Sequence, residues 1–285
     1  MPGILYIVAT PIGNLEDLTY RAARILGEVA LIACEDTRQT RKLLEHYGIH
    51  KSLISYHEHN EASRARELVE KLASGESIAL VSDAGVPLIS DPGYRLVRAA
   101  IDAGISVTPI PGASAALTAL SASGLATDSF RFAGFLPPKR TQRLKLLSAI
   151  KGAPETIVFY ESPHRLLESL EDIEQTLGSR PIVVARELTK LHEEFLRGTA
   201  SELREMLAAR PSIKGEITLL IGKAAAIETA NGPIAEAVAA HERSGLSRMD
   251  AIKAVARERG LSKREVYRLF TLSDDDMPDR NPPAQ

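Results

Sequence analysis

The residues best suited to chemistry lie in Val81-Ser82-Asp83-Ala84-Gly85-Val86-Pro87-Leu88-Ile89-Ser90-Asp91-Pro92-Gly93. The apolar run 77–81 before them reads as a buried strand. The loop that follows holds two Asp, two Gly and two Pro. A carboxylate-bearing loop just past a parallel strand is where open α/β sheets bind ligands. It carries no basic group, so it suits an uncharged or cationic ligand better than a phosphate. Similar loops follow other predicted strands: Ala9-Thr10-Pro11-Ile12-Gly13-Asn14, Glu35-Asp36-Thr37-Arg38 and Pro111-Gly112-Ala113-Ser114-Ala115. In a doubly wound sheet all of them fall on the carboxyl edge and can share one cleft.

The elements that must position these loops alternate. Strands are predicted at 4–9, 29–34, 52–56, 77–81 and 105–110, with helices at 15–27, 37–47, 61–73 and 92–103 between them. Pro92 suits the first turn of the last of these helices. This alternation predicts a mainly parallel sheet covered on both faces. After Gly124 strands are expected at 131–135, 156–160, 181–186, 194–198 and 216–221, with helices at 139–150, 165–177 and 200–208. Two strands close together without a full helix predict a mixed sheet. Helices at 233–243, 248–259 and 263–270 follow. Ser247–Asp250 and Ser262–Glu265 fit capping boxes, and the turn at Gly260-Leu261 resembles a helix-turn-helix. The expected domains are 1–118, 119–225 and a basic helical segment at 233–272, with a disordered acidic, Pro-rich tail at 273–285.

Composition narrows the partners. The 285 residues are 44% hydrophobic and 25% charged, the balance of a soluble globular protein. A net charge of −2 supplies no global field for nucleic acid, so RNA contact must use local patches. The candidates are Lys139, Arg140, Arg143 and Lys145 in a stretch without acids, and Lys263 and Arg264 near the end. The single Cys34 excludes an internal disulfide, and no metal motif is present; His57 and His59 lack further ligands. No signal peptide or membrane-length apolar run is seen, so a cytoplasmic location is expected. No G-x-G-x-x-G, Walker A or G-x-S-x-G motif occurs.

Five motifs occur together and in order: Thr10-Pro11-Ile12-Gly13-Asn14-Leu15, Cys34-Glu35-Asp36-Thr37-Arg38, the 81–93 loop, Ile110-Pro111-Gly112-Ala113-Ser114-Ala115 and Phe159-Tyr160-Glu161-Ser162-Pro163-His164-Arg165. Over about 1–225 the chain resembles the tetrapyrrole methylase superfamily, and most closely its branch that methylates a cytidine 2′-hydroxyl in 16S rRNA of the small ribosomal subunit. The resemblance implies two α/β domains with an S-adenosylmethionine cleft between them, a small C-terminal helical element and a homodimer. It places Pro11, Ser82, Asp83, Ala84, Val86, Ser114, Ala115 and Leu188 at the cofactor, with Tyr160 or Glu161 on the second-domain side. Ser82 and Ala84 stand where the tetrapyrrole enzymes carry Gly and Pro, which counts against a tetrapyrrole substrate. A sulfonium cofactor without phosphate fits apolar walls, backbone groups and a carboxylate.

The proton acceptor is less defined. Ala185-Arg186-Glu187-Leu188-Thr189-Lys190-Leu191-His192-Glu193-Glu194 gathers ionisable groups after a predicted strand. Glu187 or Glu193 could take a proton, and Arg186 or Lys190 could stabilise an alkoxide or hold a phosphate. The alternative for each is an ion pair between domains or across a dimer. Two other functions stay open: a small-molecule methylase acting on a tetrapyrrole-like macrocycle, and a non-catalytic ribosome-binding protein that kept the fold.

Overall fold

The computed structural model describes residues 1–224 and 234–274. The chain divides into two compact units, Met1–Lys223 and Ala224–Gln285.

The first unit holds two five-stranded sheets. In one, β1 (Ile4–Val8), β2 (Leu31–Cys34), β3 (Ser52–Ser55), β4 (Ile78–Val81) and β5 (Ser106–Ile110) lie in the order β3-β2-β4-β1-β5, all parallel. Helices α1 (Tyr20–Glu28), α2 (Thr37–His46), α3 (Glu61–Ala73) and α4 (Tyr94–Asp102) connect the strands. Their side chains build separate cores on the two faces. β1 and β4 are adjacent, and the chain leaves them to opposite sides, β1 toward β2 and β4 toward β5. That reversal opens a crevice at the carboxyl ends, where such sheets take their ligands.

The second sheet is mixed, as the close spacing of its strands predicts. β6 (Phe130–Phe135), β7 (Thr156–Glu161), β8 (Ile182–Arg186), β9 (Glu194–Gly198) and β10 (Ile217–Ile221) lie in the order β6-β7-β10-β8-β9. Only β6 and β7 are parallel. The uninterrupted apolar run of β8 follows from burial on both sides. Ile182 and Val184 face α6 (Arg140–Ala149), α7 (Leu166–Leu177) and α8 (Ala200–Ala208), and Val183 and Ala185 face the other way.

The element packed on that other face is a helix the sequence pattern does not announce. α5 (Ala115–Ser123) runs across the expected division between 1–118 and 119–225. Its residues are mostly Ala, Ser and Leu with no polar stripe, so no 3.6-residue alternation stands out. Ala116, Ala119 and Leu120 pack with Val158, Val183 and Leu220 of the second sheet and with Ile12 from the loop after β1.

Two local expectations are corrected. The 15–27 helix is a single turn at Leu15–Asp17 followed by α1, because the Thr19 side chain accepts from Ala22 N–H and starts a new helix. Pro92 lies outside α4, whose cap is Gly93 at φ 145°. A Cβ at Gly93 would stand 2.9 Å from both Leu80 and Leu88, so the close approach requires glycine.

The second unit contains α9 (Ile234–Arg243), α10 (Arg248–Glu258) and α11 (Lys263–Asp274) around Val238, Ile252, Val255, Val266 and Phe270. Both predicted capping pairs form: Asp250 N–H donates to Ser247 Oγ at 3.3 Å and Glu265 N–H to Ser262 Oγ at 3.2 Å. Of the tail expected to be disordered at 273–285, residues 273–274 instead complete the last turn of α11, and 275–285 lie outside the described residues.

Candidate functional site

The loops after β1 and β4 are tied together. Thr10 and Gly85 exchange backbone hydrogen bonds, and Thr10 Oγ1 donates to Ser82 O at 3.1 Å. Ser82 Oγ donates in turn to the carbonyls of Ala84 and Gly85. The rest of the 81–93 loop then turns sharply, with Leu88 at φ 73° and Ser90 at φ 68°. Non-glycine residues held in the left-handed region store strain, and such strain concentrates at functional sites.

Beside this loop lies a cavity of about 410 Å³ within the first unit, in the range that holds a small organic ligand. Asp83, Ala84, Val86, Ser114, Ala115, Tyr160, Glu161 and Leu188 all line it. Pro11 and Ser82 do not: Pro11 is buried behind Ile12, which lines the wall in its place, and Ser82 is buried as the brace of the loop. Of the second-domain pair, Tyr160 is half-buried with its ring packed on Phe132 and Phe135. The Glu161 carboxylate is engaged elsewhere, accepting from Ser162 N–H and Ser169 Oγ at 2.6 Å each and pairing with Arg165 at 2.8 Å.

Sequence reasoning did not single out Asp91, Ile89, Ser90, Phe135 or the 215–218 strand start, all of which reach the cavity. Asp91 stood in the 81–93 loop but had no spacing partner to mark it. Its environment is set by burial, by Glu35 from the end of β2, and by Ser82 and Asp83 earlier in its own loop. Burial, then the charges of Glu35 and Asp83, push its carboxyl up to about 6, partly offset by a hydrogen bond from Ser82. Glu35 is raised too, first by burial and then by Asp83. Asp83 accepts from Asp36 N–H at 3.0 Å, linking the ends of β4 and β2. Asp36 itself caps α2 and pairs with Arg38 at 2.7 Å, which holds its carboxyl at about 2.

The Arg186–Lys190 turn frames the opposite wall. Leu188 enters the cavity from between Glu187 at φ 52° and Thr189 at φ 65°. Glu187 accepts from Lys190 Nζ at 2.9 Å and Glu216 N–H at 3.0 Å. These bonds, the Lys190 one foremost, hold its carboxyl below the usual range. Arg186 pairs with Glu194 at 3.2 Å and also donates to Lys214 O. The three side chains expected to be catalytic are thus engaged with protein partners, and none of them lines the cavity.

Of the basic residues assigned to RNA, Lys139, Arg140, Lys145, Lys263 and Arg264 are exposed. Arg143 is not: its side chain is 1% exposed and reaches Asp172 at 2.7 Å. It lies on the face of α6 that packs against α7, so the RNA assignment of Arg143 is withdrawn. Arg140 pairs with the same carboxylate from the surface at 2.8 Å. Among the described residues no group of three His, Cys, Asp or Glu could hold a metal ion, and no helix is long and apolar enough to cross a membrane.

Residues 4–204 match the model of the Tetrapyrrole (Corrin/Porphyrin) Methylases. The ribosomal RNA small subunit methyltransferase I of Halalkalibacterium halodurans is 50% identical over 275 residues, covering 94% of each chain. The protein of the same name from Bacillus subtilis is 48% identical over 277 residues, 95% of this chain and 94% of that one. The chain belongs to the tetrapyrrole methylase family, in its ribosomal RNA small subunit methyltransferase I branch. Solved structures share its fold over much of the chain. Uroporphyrin-III-C-methyltransferase from Thermus thermophilus superposes with a TM-score of 0.54 at 22% identity, covering 78% of this chain and 95% of that one. Diphthine synthase superposes at 0.59 with 14% identity, covering 77% and 90%.

Tetrapyrrole methylases use S-adenosylmethionine as methyl donor, and the cavity fits it. Among the described residues that line it there is no Lys, Arg or His, but there are Asp83 and Asp91, beside Glu161 and Glu216, which pair with Arg165 and Lys190. Apolar walls from Ile12, Val86 and Leu188 complete a site hostile to phosphate and favourable to a sulfonium cation.

Proposed function

We propose that this protein transfers a methyl group from S-adenosylmethionine to the ribose 2′-hydroxyl of a cytidine in 16S rRNA, acting on the small ribosomal subunit in the cytoplasm as a homodimer. The observation that carries the methyl-transfer reading is the cavity lined by carboxylates and apolar groups with no basic residue. The names and high identity of the relatives support the RNA substrate. We further propose a working division at about residue 118, with 1–118 and 119–225 each supplying one wall of the cofactor site.

When bound, the cofactor supplies an electrophilic methyl carbon. Asp83, Ala84, Val86, Ser114, Ala115, Tyr160 and Leu188 hold and orient it, and positioning of this kind supplies much of the acceleration of a displacement. The ribose hydroxyl is a weak acid and needs a proton acceptor. Asp91 is the better base than Glu187: it faces the cavity and titrates at about 6, whereas Lys190 keeps Glu187 ionised and weakly basic. Glu187, Lys190 and Arg186 then act as positioning residues that fix the turn carrying Leu188. Lys139, Arg140, Lys145, Lys263 and Arg264 are proposed to meet RNA phosphates.

The test uses radiolabelled S-adenosylmethionine with small subunits lacking the modification, beside naked 16S rRNA and a porphyrinogen. Label on a ribose 2′-oxygen of the assembled subunit is the expected result. Cofactor binding with label only on the porphyrinogen would transfer the assignment to a small-molecule methylase.

A further inference from the structure

We propose that Phe135, backed by Tyr160, is a stacking platform for the target nucleobase, an inference that rests on the RNA methyltransferase reading above. β6 is an edge strand, paired only with β7. Its register runs Phe130↔Thr156, Arg131↔Ile157 and Phe132↔Val158, then shifts so that Phe135 meets Tyr160. The extra residue is accommodated near Gly134, which sits at φ 68°. Strict alternation along the strand would send Phe132 and Phe135 to opposite faces. The bulge returns them to one face, and both rings pack edge-on against Tyr160, at 4.8 and 5.5 Å between centroids. Bulges re-aim single side chains in this way beside binding sites.

The re-aimed ring is left 55% exposed and lines the cavity. A large apolar ring held in T-shaped contact with Tyr160 and more than half exposed at a cavity wall is suited to stack a flat ligand. Two surroundings commit that ligand to an RNA base. The cavity has carboxylates and no basic lining residue, so the charged RNA backbone is repelled from its interior while an uncharged base and ribose can enter. The chain then leads from Phe135 through Leu136, Pro137 and Pro138 to Lys139, which is exposed, as is Lys145 on α6. Neither lysine has an ion-pair partner among the described residues. Phosphates held there would leave the neighbouring nucleotide splayed toward Phe135, and splayed bases are commonly stacked on aromatic side chains.

The experiment compares wild type with Phe135→Ala, Phe135→Leu and Phe135→Trp in methylation of unmodified small subunits, with S-adenosylmethionine binding measured by equilibrium dialysis and assembly by sedimentation. The leucine variant keeps apolar volume and removes the π face. The platform predicts a fall in kcat/KM of about 10- to 100-fold for the alanine and leucine variants, mostly through KM. The tryptophan variant stays within about threefold of wild type, and cofactor binding and sedimentation do not change. Leucine activity equal to wild type, a parallel loss of cofactor binding, or an altered oligomeric state would each overturn it. A wild-type enzyme that binds cofactor but labels no RNA would sink the RNA reading itself, and the platform with it.

Discussion

Thr10 and Gly85 face each other across the loops after β1 and β4, with Thr10 N–H on Gly85 O at 2.9 Å and Gly85 N–H on Thr10 O at 3.0 Å. This two-residue bridge fastens the proposed cofactor wall to the sheet at the point where the chain connections diverge. Gly85 sits at φ 83°, and a Cβ there would lie 3.4 Å from Ile12 Cγ2. A β-branched residue is strained in that conformation by about 1–2 kcal/mol and also crowds the wall. Gly85→Val is therefore expected to weaken S-adenosylmethionine binding by more than tenfold while the protein stays folded. Calorimetric titration beside a thermal melt separates the two effects; unchanged affinity would show that the bridge does not shape the site.

The Asp91 carboxyl, raised to about 6 by burial and by Glu35, gives a pH prediction with a definite sign. The folded state binds this proton more tightly than the unfolded chain does, so the group costs stability as pH rises from about 4 to about 6, and the cost persists above that. Asp91→Asn should raise stability at pH 7.5 by on the order of 1–2 kcal/mol, allowing for partial solvent screening, with the gain vanishing near pH 4. Activity should move the opposite way. Wild-type kcat/KM is expected to climb through about pH 6 as the base ionises, and the variant should lose about 100-fold or more together with that limb. A variant that retains the same pH profile would remove Asp91 from the mechanism.

Much of the frame was legible because both-face burial leaves continuous apolar runs such as Ile182-Val183-Val184-Ala185, and because Gly and polar caps punctuate them. The mixed second sheet followed from the short spacing between the strands that became β8 and β9. What stayed hidden shares one physical cause: it depends on contacts between distant segments. α5 is buried by two other elements, so its small apolar residues carry no stripe. Asp91 owes its proton affinity first to burial and then to Glu35, at the end of a different strand. Arg143 sits in a run of basic residues and differs from its neighbours only in pointing at α7. Phe135 is the exception, since the preceding glycine inside a strand is a local sign of a bulge.

Arg143 and Asp172 form an almost fully buried pair, 1% and 2% exposed in their side chains. Removing Arg143 leaves the buried Asp172 carboxylate with only the surface Arg140 as a cation and empties the space of a buried side chain between α6 and α7, which costs about 2–4 kcal/mol. Arg143→Ala is expected to lower the denaturation midpoint strongly without changing the salt dependence of RNA binding. The double variant Arg143→Met with Asp172→Leu should recover most of the loss, because an apolar pair of similar volume needs no compensating charge. Arg140, left facing an uncharged partner, is on the surface and tolerates the change. Full stability in Arg143→Ala would mean that the pair is not a structural contact.

Lys139 and Lys145 offer the complementary test, because they are exposed, carry no ion pair among the described residues, and lie at the start of and within the helix that follows the edge strand. A lysine that neutralises one phosphate releases about one condensed counterion, so each contributes roughly 0.7–0.9 to the slope of log affinity against log salt. Lys139→Gln with Lys145→Gln should therefore flatten that slope by between one and two for small-subunit binding. S-adenosylmethionine binding, proposed for a cavity without basic lining residues, should show no such change. Arg140→Gln is expected to flatten the slope less, since Asp172 already holds part of its charge at 2.8 Å. Filter binding between low and moderate salt reads the slope directly. An unaltered slope in the double lysine variant would shift the phosphate contacts to another surface, with Lys263 and Arg264 of the second unit the next pair to remove.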